Sequence, residues 1–567
     1  MPCPGPQTVG GTTAAQNALF DDYYENELRN FPERATAFGD YRYNDQLADY
    51  SLAAIAKRDK SNRDYLARIQ AISSAEFSDQ DQLSHDLLIR VLQQRVADYD
   101  LKEYEMPINQ QNGAHTALAD LPLSVPLDSV KHYEDYIARL RQIPRVLSQT
   151  TEVLRAGMKD NLMPVKFLIE KIPAQCQGII DSNPFLQPAK KFFKDFSVED
   201  QKRLTEQITA ALNDEVFPAY KTFAAFIKDE YAPRGRTTLS ITSLSDGEKR
   251  YQNAIYARTT THMTAEEIHQ LGLREIDRIQ AEMAEVAKKA GFSDLASFRE
   301  SIKNNPKYKP TFAEQILGDF RKYIAQMEPK LPQLFGLLPK SPVTVEAIPA
   351  FQATAATHYV TGTPDGKRPG RVVVATSNFA ERSTVDDEAV AYHEGVPGHH
   401  MQLSVSQQLA GLPKFRVRGL FFNAYGEGWA LYAEQLGKEV GFYQDPVSDY
   451  GRLSSELFRA VRLVVDTGIH AKGWSRDEVV AFMRKTGSVD EPTIQTETDR
   501  YISWPAQALS YKLGQLKIRE LRDHAQKELG PKFDIRAFHD EILNGGALPL
   551  DLLEARTDKW VAEQKVK

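Results

Sequence analysis

Three histidines and a carboxylate fall within eight residues at His393-Glu394-Gly395-Val396-Pro397-Gly398-His399-His400. Neutral imidazole is the commonest protein ligand for a transition metal, and a glutamate beside such a ligand can take a proton from a metal-activated water. The chemistry this points to is metal-assisted hydrolysis. The nearest pattern is H-E-x-x-H on a helix, but Pro397 stands where that pattern needs its second histidine. The second ligand is then His399 or His400. On an unbroken helix these lie roughly 9 or 10.5 Å along the axis from His393, against about 6 Å in the regular pattern. Pro397 lacks an N–H and Gly398 accepts unusual dihedrals, so the helix is expected to bulge or kink there. Two looped-out residues deliver His399 to the metal and three deliver His400. His399, following glycine as in many zinc helices, is the preferred reading, with His400 as its alternative.

Two histidines leave a zinc site short of a third protein ligand. Cys3 and Cys176 are the only cysteines, so the ligands must be His, Glu or Asp. Glu427 lies 28 residues after His399, between Gly426 and Gly428 at the start of a helical pattern, and is the expected third ligand. Glu434 lies two turns later on nearly the same face, as an alternative ligand or as the acceptor that orients a ligating histidine. Glu394, about 100° round the helix from His393, is the expected general base. Arg500, Arg462 and Lys512 are candidates for a substrate carboxylate. His470 and His358 are candidate substrate donors, each with a structural role as the alternative.

The elements that must position these residues are mainly helical. Apolar spacings of three and four run from Ala14 to about Pro107 and again over 128–230. Thr264-Ala-Glu-Glu267 reads as a capping box opening a helix to about Ala290, and Ser293 as the cap of the next. β signals come late, at 343–348, 357–360 and 370–376, which places a small sheet immediately before the histidine helix. An edge strand there suits strand addition by an extended peptide, or the sheet simply caps the helical body. The expected organisation is a flexible leader over 1–14, a helical half over 15–340 and a catalytic half over 341–567, in one continuous body.

Composition narrows the function. A net charge of −7 over 567 residues, with no lysine and arginine cluster, argues against nucleic acid as a partner. No run of about 18 apolar residues predicts a membrane span. The first residues lack the pattern of a secretion signal, so the chain reads as soluble as it stands, cytoplasmic or exported with a signal already removed.

Four long segments carry a family resemblance. His393 to Gln402, Glu427 to Glu434, Phe458 to His470 and Arg500 to Gly514 resemble the blocks of the bacterial proteins grouped as domain of unknown function 885. Pro32 to Gly39 and Phe538 to Pro549 extend the resemblance over most of the chain. It implies a largely helical fold similar to the angiotensin-converting enzyme, thimet oligopeptidase and thermostable carboxypeptidase group, zinc peptidases with a deep channel between two helical halves. The chain departs from that group at the extra residues around Pro397-Gly398. In those peptidases a late tyrosine helps to stabilise the oxyanion. Tyr511 is similar in placement, with Tyr501 as the runner-up.

The expected function is therefore a Zn2+-dependent metallopeptidase acting on short peptides. The alternatives are a zinc amidohydrolase acting on a small non-peptide or modified amide, or a binding protein that kept the fold without turnover. An intact Glu394 argues against the last.

Overall fold

The computed structural model describes residues 9–193, 195–303, 305–348 and 356–567. Of the leader expected over 1–14, residues 1–8 lie outside the described residues, and a helix spans Val9–Asn30. The fold is mainly α, 72% helix, with one small sheet. Among the described residues no helix is long and apolar enough to cross a membrane.

The chain divides into two compact units, one of residues 1–239, 243–247 and 413–419 and the other of 240–242, 248–412 and 420–567. Among the described residues the regular elements of the first are all helices. Its core gathers Leu140, Ile143, Leu147, Leu154, Ile169, Ile172, Leu204, Ile208 and Phe223 with four buried tyrosines, among them Tyr133, Tyr136 and Tyr220. These three keep their hydroxyls paired: Tyr133 donates to the Pro188 carbonyl, Tyr136 to that of Phe185 and Tyr220 to that of His115. Each ring thus adds apolar area to the core without stranding a polar atom.

The second unit holds every residue of the histidine segment and its expected partners. Its helix Ala265–Lys289 opens with the expected capping box, the Thr264 hydroxyl accepting from the Glu267 amide and the Glu267 carboxylate from the Thr264 amide. The next helix, Leu295–Lys303, is capped by Asp294, whose Oδ1 accepts from the Ser297 amide at 2.8 Å. Ser293 therefore does not take that role. Asp and Ser cap about equally well, and position relative to the first turn decides between neighbours. Ala265–Lys289 packs along Pro446–Lys472, which is buried on nearly every side from Asp449 to His470. At their crossing a Cβ on Gly272 would meet Leu463 Cβ at 2.8 Å, so a bare glycine sets the approach.

The sheet has three strands, β1 (Val343–Ala347), β2 (His358–Val360) and β3 (Gly370–Val374), in the order β1-β3-β2. All three fall where the sequence predicts strands. β3 lies centrally, parallel to β1 and antiparallel to β2, and its Val372, Val373 and Val374 are buried. A run of valines buried on both faces is what a central strand requires.

Candidate metal centre

The histidine helix breaks where Pro397 and Gly398 predict. One helix spans Asp387–Glu394 and a second restarts at His399–Gln408. Between them the Gly398 amide donates to the Tyr392 carbonyl at 2.9 Å, folding the chain back on the end of the first helix. A Cβ on Gly398 would overlap the carbonyl oxygens of Tyr392 and His393, so only glycine fits there. Trp429 Nε1 donates to the Pro397 carbonyl at 2.9 Å, tying this connection to helix Asn423–Glu439.

The break returns His399 to His393. Their rings lie 5.0 Å apart, nearly perpendicular. Glu427 Oε2 is 3.2 Å from His399 Nε2 and 3.6 Å from His393 Nε2. One ligand atom from each of the three residues lies within 4.8 Å of the others. Tetrahedral zinc with donors at about 2.0–2.1 Å spaces them roughly 3.3 Å apart, and the two observed separations bracket that value. His393 Nδ1 lies 2.8 Å from Glu434 Oε1, so its other nitrogen is the one turned to Glu427. The donor set, its spacing and its orientation fit a zinc ion.

His400 faces the other way. Its Nε2 is 3.0 Å from the Ser341 carbonyl oxygen, which only an N–H can satisfy, so its Nδ1 accepts from the Tyr359 hydroxyl, also 3.0 Å away. Burial lowers its pKa to about 4, keeping it neutral. It joins the second histidine helix to the sheet.

Charge in the site is strongly coupled. Burial alone would lower His393, but hydrogen bonds to Glu427 and Glu434 raise it to about 9. Glu427 is driven the other way: burial opposes its charge, and the two histidines hold it well below the ordinary carboxylate value. Glu394 is buried, and burial raises its pKa, against the pull of His393, His399 and His358. The last of these effects places His358, the first residue of β2, within electrostatic reach of Glu394.

Tyr511 stacks on His393 with ring centroids 6.3 Å apart and planes 17° from parallel. Its hydroxyl accepts from Arg500 Nη2 at 3.3 Å, and the Arg462 guanidinium lies 4.5 Å from its ring centre. Glu497 binds both arginines, Arg462 at 2.9 Å and Arg500 at 3.1 Å. Helix Ser510–Leu529, which carries Tyr511, crosses Asn423–Glu439, which carries Glu427, glycine against glycine at Gly514 and Gly428. A Cβ on Gly514 would run into the Ala424 carbonyl oxygen.

Other expected residues bond to partners outside the His393, His399 and Glu427 cluster. Tyr501 is fully buried, and its hydroxyl accepts from Arg462 Nε at 2.9 Å. His470 is also fully buried; its Nε2 donates to the Tyr501 carbonyl and its Nδ1 accepts from the Ile241 amide. Lys512 is enclosed between Glu456 at 2.7 Å and Glu275 at 2.9 Å. Two residues went unread in the sequence. Arg459 lies 4.0 Å from Glu434 and 6.0 Å from the Tyr511 ring centre. Asp466 accepts from the Tyr251 hydroxyl and from the Ala506 amide just before the Tyr511 helix. Charged side chains inside the long apolar pattern of Pro446–Lys472 were the signal for both, since such groups are buried only with partners.

The chain belongs to the family described as bacterial protein of unknown function (DUF885), whose sequence model matches residues 32–556. It is similar in structure to a protein of Colwellia psychrerythraea described as a "putative lipoprotein", with a TM-score of 0.91 and 27% identity, covering 97% of this chain and 100% of that one. A Shewanella oneidensis protein, described as a "putative lipoprotein of unknown function", shares the fold at a TM-score of 0.69 and 19% identity, over 97% and 99% of the two chains. A Pyrococcus furiosus carboxypeptidase matches at a TM-score of 0.33 and 11% identity, over 90% and 97%, too distant to bear on this chain. No curated protein matches the sequence.

Proposed function

We propose that this chain is a zinc-dependent metallopeptidase of the gluzincin type acting on short peptides. The observation that carries the reading is the convergence of His393, His399 and Glu427 beside a buried Glu394 and the stacked Tyr511. His393, His399 and Glu427 hold the zinc, and Glu434 orients His393 through its Nδ1. When bound, zinc polarises the scissile carbonyl and makes a water more acidic. Glu394 takes the proton of the attacking water and passes it to the leaving nitrogen. Its burial suits that task, because a carboxylate made more basic accepts a proton more readily near neutral pH. The Tyr511 hydroxyl donates to the developing oxyanion, held for it by Arg500. Arg500, bonded to Tyr511, and His358, whose charge acts on Glu394, bind the rest of the peptide. Tyr501 and His470 serve from behind by fixing Arg462 and the Tyr501 backbone.

The test joins metal analysis to digestion of a peptide library by wild type and Glu394→Gln. About one zinc per chain is expected in both, with cleavage only in wild type. Carefully purified protein that takes up no zinc would remove the reading. Zinc without peptide cleavage would move it to another amide substrate.

A further inference from the structure

Gln402 lies one turn beyond His399 on the same helix and is 2% exposed, yet its Oε1 meets no donor among the described residues. Beside it is the opposite anomaly, a phenylalanine left half in solvent: Phe421 is 50% exposed. Both meet at Gly426. A Cβ placed there would touch Phe421 Cε2 at 2.8 Å and stand 3.7 Å from Gln402 Oε1. Gly426 is the residue before the ligand Glu427. A buried carbonyl without a donor and an aromatic face without cover therefore share one spot, a single residue from the metal centre. Buried acceptors are almost always paired, and an orphan beside a candidate site calls for a donor from outside the chain, a water or a ligand. The exposed ring supplies the apolar surface such a ligand would cover.

We propose that Gln402, Gly426 and Phe421 form the subsite for a residue flanking the scissile bond, and that this residue carries a large apolar side chain. The side chain packs on the Phe421 ring while the same residue's backbone N–H donates to Gln402 Oε1. The absence of a side chain at Gly426 brings ring and carbonyl together. Proline and N-methylated residues are excluded from this position, because they have no N–H to give. The inference rests on the peptidase reading and adds its specificity.

The test measures binding rather than turnover. Tripeptides of alanine with phenylalanine placed at each position in turn, and the matching N-methylphenylalanine peptides, are titrated calorimetrically into zinc-loaded Glu394→Gln protein. One position should show phenylalanine binding about tenfold tighter than alanine, a preference lost with Phe421→Ala. N-methylation at that position should weaken binding several-fold, and should cost nothing further in Gln402→Leu. Gln402→Met takes its place if Gln402→Leu loses zinc. A phenylalanine preference that survives Phe421→Ala, or an N-methyl penalty equal in both backgrounds, overturns the subsite and leaves the peptidase reading standing. Zinc-loaded protein that binds none of the peptides overturns both.

Discussion

Glu434 Oε1 lies 2.8 Å from His393 Nδ1, at the far side of the imidazole from Glu427. One carboxylate thus sets the direction of the ring and the other meets its free nitrogen. Replacing Glu434 by leucine removes the orienting acceptor while leaving all three ligands. We expect zinc affinity to fall about 10- to 100-fold, read by competition with a chelating dye. Unchanged affinity would mean that packing alone holds the ring.

The two adjacent histidines should separate cleanly. His399→Ala removes a ligand, and the purified variant should carry little zinc. His400→Ala should retain zinc but lose about 1–3 kcal/mol of stability, since it strands the Ser341 carbonyl and the Tyr359 hydroxyl. Metal content and a urea melt on the same two preparations check both. Equal zinc in the two variants would contradict the assignment.

Gly514→Ala tests the spacing between Tyr511 and Glu427. The added methyl has no room against the Ala424 carbonyl, so the two helices must part. A destabilisation of about 1–3 kcal/mol or more is expected, together with a fall in kcat larger than any change in zinc content. A variant with wild-type kcat would show that the tyrosine's distance from the metal is not set by this crossing.

Asp466 gives a pH dependence of defined sign. Burial pushes it from 3.8 up to about 7, with the hydrogen bonds from Tyr251 and Ala506 opposing. Between those values the folded chain keeps a proton that the unfolded chain has released. Its contribution therefore weakens the fold as pH rises from about 4 to about 7, and is level above that. In Asp466→Asn this component disappears, so Tm plotted against pH should fall less steeply over that window than in wild type. Parallel curves would mean that Asp466 stays ionised throughout.

Much of the scaffold was legible because its signals are local. The valines of β3, the Thr264 and Glu267 box, and the breakers Pro397 and Gly398 each act within a few residues, and each is found where the pattern places it. The choice between His399 and His400 was legible only as a preference for His399, because helical pitch cannot say how many residues loop out. Contacts distant in sequence decide it: Trp429 holds Pro397, while Ser341 and Tyr359 claim His400. Between Glu427 and Glu434 the flanking glycines favoured Glu427 without excluding its neighbour. The two glutamates share a face of one helix, and the two nitrogens of His393 tell them apart. Gln402 and Phe421 carried no signal, since a missing partner is visible only in three dimensions.

The break at Pro397-Gly398 has one more effect. In an uninterrupted metal helix the gap between the two histidines is a fixed multiple of the rise per residue. Here His393 closes one helix and His399 opens another, so that gap follows the angle between two rods. The ligand set works like a pair of pliers whose jaw is set by what grips the handles. In the proposed site, residues that are not ligands, Trp429 bonded to the connection and Tyr359 bonded to the second rod, therefore help to set that gap.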